Sequence, residues 1–196
     1  MPATLQISVT SHFRWIYDDR GTGAKQDGCF WRPTPDKPNE WFILGDYVQN
    51  GKYPDPTTSS PQPTASVTIV KVAGEDDPDS PILREPIDYV EIWNDRNSGG
   101  KYDCAIWWPK PPDGYYSLGY VTTPNYSKPS TSLIRCVRHD YCKEGDLNAL
   151  KAVWNDLKSG ASKDVSTWLV PRMNTYYAQG DYFGPRGPYY VLKDLH

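Results

Sequence analysis

The chain has 196 residues, with 21 Lys and Arg against 24 Asp and Glu, a formal net charge of −3 and a pI near 5.6. That length suits one ordinary domain; the scattered cations lack the footprint of a nucleic-acid binder, and no stretch approaches the ~20 apolar residues needed to span a bilayer. Eight Trp, 15 Tyr and 4 Phe in a chain only 38% apolar place its hydrophobicity in large rings, which favours strands, and 19 Pro and 15 Gly demand frequent turns.

The opening MPATLQISVTSHF has neither a basic n-region nor an apolar h-region, so a cytoplasmic location is the default expectation. Next comes YDDRGTGAKQD, Tyr17 to Asp27, which returns without gaps as WNDRNSGGKYD, Trp93 to Asp103, and WNDLKSGASKD, Trp154 to Asp164. The second and third copies agree at six of eleven positions, where unrelated segments of such composition share roughly one. All three keep an aromatic start, Asp19, Asp95 or Asp156, a hydroxyl at Thr22, Ser98 or Ser159, a glycine at Gly23, Gly99 or Gly160, and a closing Asp27, Asp103 or Asp164. Six or seven residues after each closing Asp stands Pro33, Pro109 or Pro171, with a Trp just before it, followed by an aromatic run and Gly45, Gly119 or Gly180. Each unit therefore reads as strand, acidic glycine turn, strand, proline break, strand, glycine and final strand.

The starts lie 76 and then 61 residues apart, the surplus falling in KYPDPTTSSPQPTAS and AGEDDPDSP, which read as insertions or flexible loops. Farther along, GDLNALKAVWNDLKSG, Gly145 to Gly160, carries a helical signature with Asp146 as N-cap and Gly160 as stop. Its Trp154-Asn155-Asp156 nevertheless aligns with the strand-like YVEIWND, so the repeat predicts strand up to Trp154 and a turn afterwards. The expected fold is all-β: a β-prism-like single domain with three pseudo-symmetric strand-rich repeats at about 1–75, 82–142 and 143–196. A β-trefoil is the nearest rival, although its units are shorter.

The turn residues admit two roles. An Asp that accepts from backbone amides makes an Asx-turn, Ser or Thr adds a second bond, and Gly takes a positive-φ position. The same oxygens and amides, flanked by Trp and Tyr, could instead hold sugar hydroxyls. A calcium loop built from Asp18, Asp19 and Asp27 offers too few oxygens. No metal or cofactor is expected.

Signatures of enzymes are missing: GxSxG, HExxH, P-loop and Rossmann motifs do not occur. His139-Asp140 beside Cys136 and Cys142 reads as a strand end, because consecutive strand residues face opposite ways. Glu75, Asp76 and Asp77 read as solvated charge. Cys29, Cys104, Cys136 and Cys142 lack zinc spacing and are expected as free thiols. Trp31, Trp107, Trp108 and Trp168 are core or interface candidates, with a surface role for some.

The combined pattern aromatic-x-D-x-x-[ST]-G-[AG]-x-x-D, then W-x-P, P-x-G-Y-x-x-L-G and R-C-V-R, resembles the vacuolar protein sorting-associated protein 62 family, most closely over Ile106 to Cys142. The first copy departs at Tyr17-Asp18, and the third lacks P-x-G-Y. The resemblance implies a β-prism and a membrane- or glycan-recognition role. The expected function is a non-catalytic, lectin-like module that binds glycans or glycolipid head groups, or a membrane surface, through the Asp/Ser/Gly loops. The alternative is a protein-interaction or trafficking adaptor with purely structural turns.

Overall fold

The computed structural model describes residues 1–195 and is all-β apart from three short 3-10 turns. The first unit runs β1 (Thr4–Thr10), β2 (Phe13–Asp18), β3 (Gly28–Pro33), β4 (Phe42–Ile43), β5 (Tyr47–Asn50) and β6 (Val67–Ala73). The second runs β7 (Leu83–Arg84), β8 (Asp88–Asn94), β9 (Ala105–Lys110), β10 (Tyr115–Tyr116), β11 (Val121–Thr123) and β12 (Cys136–Arg138). The third has β13 (Cys142–Glu144), β14 (Lys151–Asn155), β15 (Ser166–Leu169), β16 (Tyr176–Gln179) and β17 (Tyr190–Leu192).

Each unit builds one inner and one outer antiparallel sheet. The inner sheets are β2-β3-β5, β8-β9-β11 and β14-β15-β16; the outer ones are β1-β6-β4, β7-β12-β10 and the pair β13-β17. Among the described residues every ladder joins strands of the same unit. The third outer sheet has no counterpart of β4 and β10. At that place Arg172 (φ 68°) and Asn174 (φ 59°) turn the chain instead, where the sequence also lacks P-x-G-Y.

The inner hairpins share a detail that sequence periodicity alone does not reveal. Their registers slip between Trp15 and Tyr17, between Glu91 and Trp93, and between Ala152 and Trp154. The extra residue, Ile16, Ile92 or Val153, falls at the same repeat position each time, as a β-bulge that twists the strand. It brings Tyr17, Trp93 and Trp154 into one central cluster with Phe30, Val48, Ile106, Tyr176 and Ala178. Trp154 meets Trp93 edge-on at 5.9 Å and Phe30 at 5.4 Å, an arrangement in which the ring quadrupoles attract. Period-two alternation along β3 then sends Cys29 and Trp31 to the other face, against Phe13, Tyr47 and Val67. All six residues of β3 are buried for that reason.

The helical signature at Gly145–Gly160 reduces to one 3-10 turn, Leu147–Ala149, capped by Asp146 Oδ1 accepting from Asn148 N at 2.9 Å. Strand β14 then takes Trp154 into the core, as the repeat predicts; burying that indole and pairing with β15 outweigh helix propensity.

One reading needs correction. Gly180 does not match Gly45 and Gly119. Those two precede β5 and β11 and abut one another: a Cβ on Gly45 would lie 2.9 Å from the Gly119 Cα. The third member of that contact is Thr175, whose Oγ1 donates to Leu118 O at 2.8 Å, whereas Gly180 follows β16. The segment after β5, read as an insertion or flexible loop, is an insertion that covers the edge of β2. Gln62 exchanges two 2.7 Å bonds with the Phe13 backbone, and Ser59 Oγ accepts from Trp15 N at 2.9 Å. Side chains thereby occupy an edge that would otherwise be free to pair with another strand.

Candidate functional site

The three repeated turns come together at one end of the inner sheets. Asp19, Asp95 and Asp156 are 2%, 3% and 1% exposed. Each turns Oδ1 back across its own hairpin, accepting from Gly28 N, Cys104 N and Val165 N at 3.0, 3.0 and 2.9 Å. Each carbonyl accepts from the residue three positions on, Thr22, Ser98 or Ser159, which closes a tight turn. The hydroxyls of these residues accept from the amides of Ala24, Gly100 and Ala161. Ser98 and Ser159 also donate to their aspartates. Positive φ is carried first by Gly21 (84°), Asn97 (69°) and Lys158 (67°), then by Gly99 and Gly160. Gly23 is different: its φ is not positive, and a Cβ there would stand 2.7 Å from the Lys158 carbonyl oxygen. It is required by close approach.

A tyrosine that the sequence pattern does not single out completes each turn. Tyr53 Oη donates to Asp19 at 2.6 Å, Tyr126 to Asp95 at 2.8 Å and Tyr182 to Asp156 at 2.7 Å. The same hydroxyls lie 3.0, 3.3 and 3.2 Å from the exposed closing residues Asp27, Asp103 and Asp164. Each phenol bridges a buried and an exposed carboxylate. Burial first, then those carboxylates, push all three phenol pKa values well above the ordinary range.

The turns also bond to one another in a cycle. Lys101 N donates to Arg20 O, Ser162 N to Arg96 O, and Lys25 N to Leu157 O, at 3.1, 3.0 and 3.1 Å. The buried indoles donate in the opposite sense around the axis: Trp93 Nε1 reaches Lys163 O, and Trp154 Nε1 reaches Gln26 O and Asp19. The oxygens of Asp19, Asp95, Asp156, Ser98 and Ser159 are thus engaged inside the protein. Asp27, Asp103 and Asp164, with exposed Gly23, Gly99 and Gly160, form the outward part of the set.

Asp19 has a pKa raised from 3.8, because burial outweighs the hydrogen bonds from Tyr53, Gly28 and Trp154. A raised folded pKa adds stability that is full below the unfolded value and is lost as pH rises through the folded value. Asp19→Asn cannot ionise and removes this dependence. In urea titrations stepped upward from about pH 4, wild-type stability should fall relative to D19N; a constant difference would refute the assignment.

A second feature lies at the seam between the second and third units, a cleft of about 460 Å³. It is lined by Trp108, Tyr115 and Tyr116 from the second unit and by Tyr177, Tyr189 and Tyr190 from the third. Tyr116 lies between Tyr190, at 3.6 Å and 8°, and His139, at 3.8 Å and 23°. Asp113 is its one carboxylate among the described residues. The tryptophans before the prolines separate accordingly: Trp31 and Trp107 are buried, Trp168 packs half-buried beside the core, and Trp108 lines the cleft.

Asp76 accepts from Ile82 N, tying its loop to the second unit. All four cysteines are free, and burial pushes Cys29, Cys136 and Cys142 up to about 12, so these thiols stay protonated near neutrality.

The family described as vacuolar protein sorting-associated protein 62 matches residues 3–184, and the chain belongs to that family. Among solved structures, GNIP1Aa from Chromobacterium piscinae is similar over 97% of this chain and 37% of its own, at 24% identity and a TM-score of 0.76. The chain therefore spans little more than a third of that protein, and the likeness concerns the fold. No curated protein gives a significant match.

Proposed function

We propose that this member of the vacuolar protein sorting-associated protein 62 family is a non-catalytic, lectin-like recognition module of β-prism type, with a neutral glycan bound in the aromatic cleft between its second and third units. Three units, each with an inner sheet facing one aromatic cluster, support the β-prism reading. The observation that carries the function is the stacked Tyr190-Tyr116-His139 ladder lining a cleft rich in phenol hydroxyls. Flat rings suit the C–H face of a sugar, and hydroxyl groups can exchange hydrogen bonds with it without leaving a charge desolvated. A concave aromatic seam favours this reading over an adaptor, whose partner would require a flat apolar or basic face.

The repeated turns enter the reading in a changed role. Their inner aspartates and serines hold the apex, so any contact they make with a glycan or glycolipid runs through Asp27, Asp103 and Asp164. Binding to an array of neutral glycans, followed by calorimetry on the best ligand, tests the cleft. Tyr116→Ala removes the middle ring on which Tyr190 and His139 stack and should weaken binding about tenfold, while Tyr116→Phe keeps most of it. Absence of any neutral-sugar ligand, or equal affinity for Y116A and wild type, refutes the proposal.

A further inference from the structure

The seam between the first and second units occupies the pseudo-symmetric place of the aromatic cleft, but its chemistry is reversed. Phe42 and Tyr116 each stand three residues before the abutting Gly45 and Gly119, so Trp41 and Phe42 take the positions of Tyr115 and Tyr116. Arg32 stands where the second unit has Trp108. The depression here is about 680 Å³ and is lined by Pro33, Pro35, Trp41 and Phe42 together with Arg14 and Arg135; no acidic residue among those described lines it.

Three guanidiniums meet at this seam in a chain of net charge −3. Arg32 is neutralised by Asp46, at 2.8 and 3.1 Å. Arg14 is exposed and, among the described residues, has no carboxylate within 4 Å. Its register partner across the ladder is Arg32, whereas the equivalent pairs in the other units are Val90 with Trp108 and Lys151 with Leu169. Like charges directly opposite one another cost stability, and this unit alone carries two arginines there. Arg135, from the R-C-V-R motif, lies over Phe42 at 4.2 Å, and among the described residues its guanidinium donates only through Nη1, to the Ser132 and Ile134 carbonyls. Its Nε and Nη2 donors are left for another acceptor.

We propose that this seam binds a phosphomonoester carried on a small ring, such as a hexose phosphate. Near neutrality the phosphate holds up to two charges, which two unpaired guanidiniums match with charge-assisted hydrogen bonds. The proline and aromatic lining receives the ring. This site does not depend on the neutral-glycan reading of the other cleft.

Calorimetry and amide chemical-shift titration of the full chain with glucose 6-phosphate, glucose and inorganic phosphate test it. Glucose 6-phosphate should bind more tightly than either part alone, and weaken as pH falls from 7.5 to 5.5 and the phosphate takes up a proton. Arg14→Gln and Arg135→Gln should each lower affinity about tenfold with the folded amide spectrum retained, and Tyr116→Ala should leave the affinity unaltered, which separates this site from the aromatic cleft. Vesicles of phosphatidylcholine with and without phosphatidylinositol 4-phosphate show whether the ring phosphate is taken from solution or from a membrane; capture from either supports the site. No binding at millimolar concentration from either source, equal affinity for inorganic phosphate, or full affinity in the double glutamine variant overturns it.

Discussion

Asp95→Ala lowers the unfolding free energy by about 3–4 kcal/mol, enough to reduce the melting temperature by roughly 10 °C in a chain of this length. The carboxylate is buried and accepts from Cys104 N, Tyr126 Oη and Ser98 Oγ. Truncation leaves the buried Cys104 amide without its acceptor and the phenol with Asp103 alone, and an unsatisfied buried donor costs more than the bond itself contributed. Asp95→Asn retains a carbonyl acceptor and should lose clearly less. Asp103→Ala removes an exposed group 3.3 Å from the same phenol and should cost under about 1 kcal/mol. Urea denaturation of the three variants checks the ranking. Should D95A fall within 1 kcal/mol of wild type, the turn aspartates are not what holds the apex.

Asp46→Ala should be at least as damaging, at about 3–5 kcal/mol, because it strands a buried guanidinium. Asp46 is fully buried and accepts from Arg32 Nε and Nη2 and from Thr122 N at 2.7 Å, while Arg32 Nη2 donates to Thr122 O at 2.6 Å. The network ties the first unit to the second. Replacing both charges, Arg32→Leu with Asp46→Leu, leaves no unpaired ion and should recover more than half of the loss seen in Asp46→Ala. Leu169 occupies the position of Arg32 in the third unit, and Tyr176 that of Asp46, so an uncharged pair already serves there. A double-mutant cycle measures the coupling; a value below about 1 kcal/mol would mean that solvent or neighbouring groups solvate Arg32.

The repeat was legible because its residues are fixed by backbone geometry. Asp, hydroxyl and glycine are needed at set places in a tight turn, and this spacing survived in all three copies. It even overruled the helical signature before Trp154. The tyrosines were not legible in the same way. Tyr53, Tyr126 and Tyr182 follow their closing aspartates at distances of 26, 23 and 18 residues, since the intervening segments differ in length. Only when the strands are known does a constant emerge: each tyrosine lies three residues beyond the end of β5, β11 or β16. Gly180 misled for the opposite reason, as a glycine near the expected place while the contact itself had passed to Thr175. The seams were hidden altogether, because their walls come from different units and a linear pattern does not show what faces what.

Since every described ladder closes within its own unit, the chain is built like a trimer whose protomers are joined end to end. What couples the protomers is the central rings, the cycle of apex amides and the three seams, and none of these requires neighbouring seams to match. One seam holds an ion pair and two arginines without a carboxylate partner among the described residues, another holds tyrosines. A threefold chain of this kind can differ in chemistry from one joint to the next, while the symmetric centre holds the whole in register.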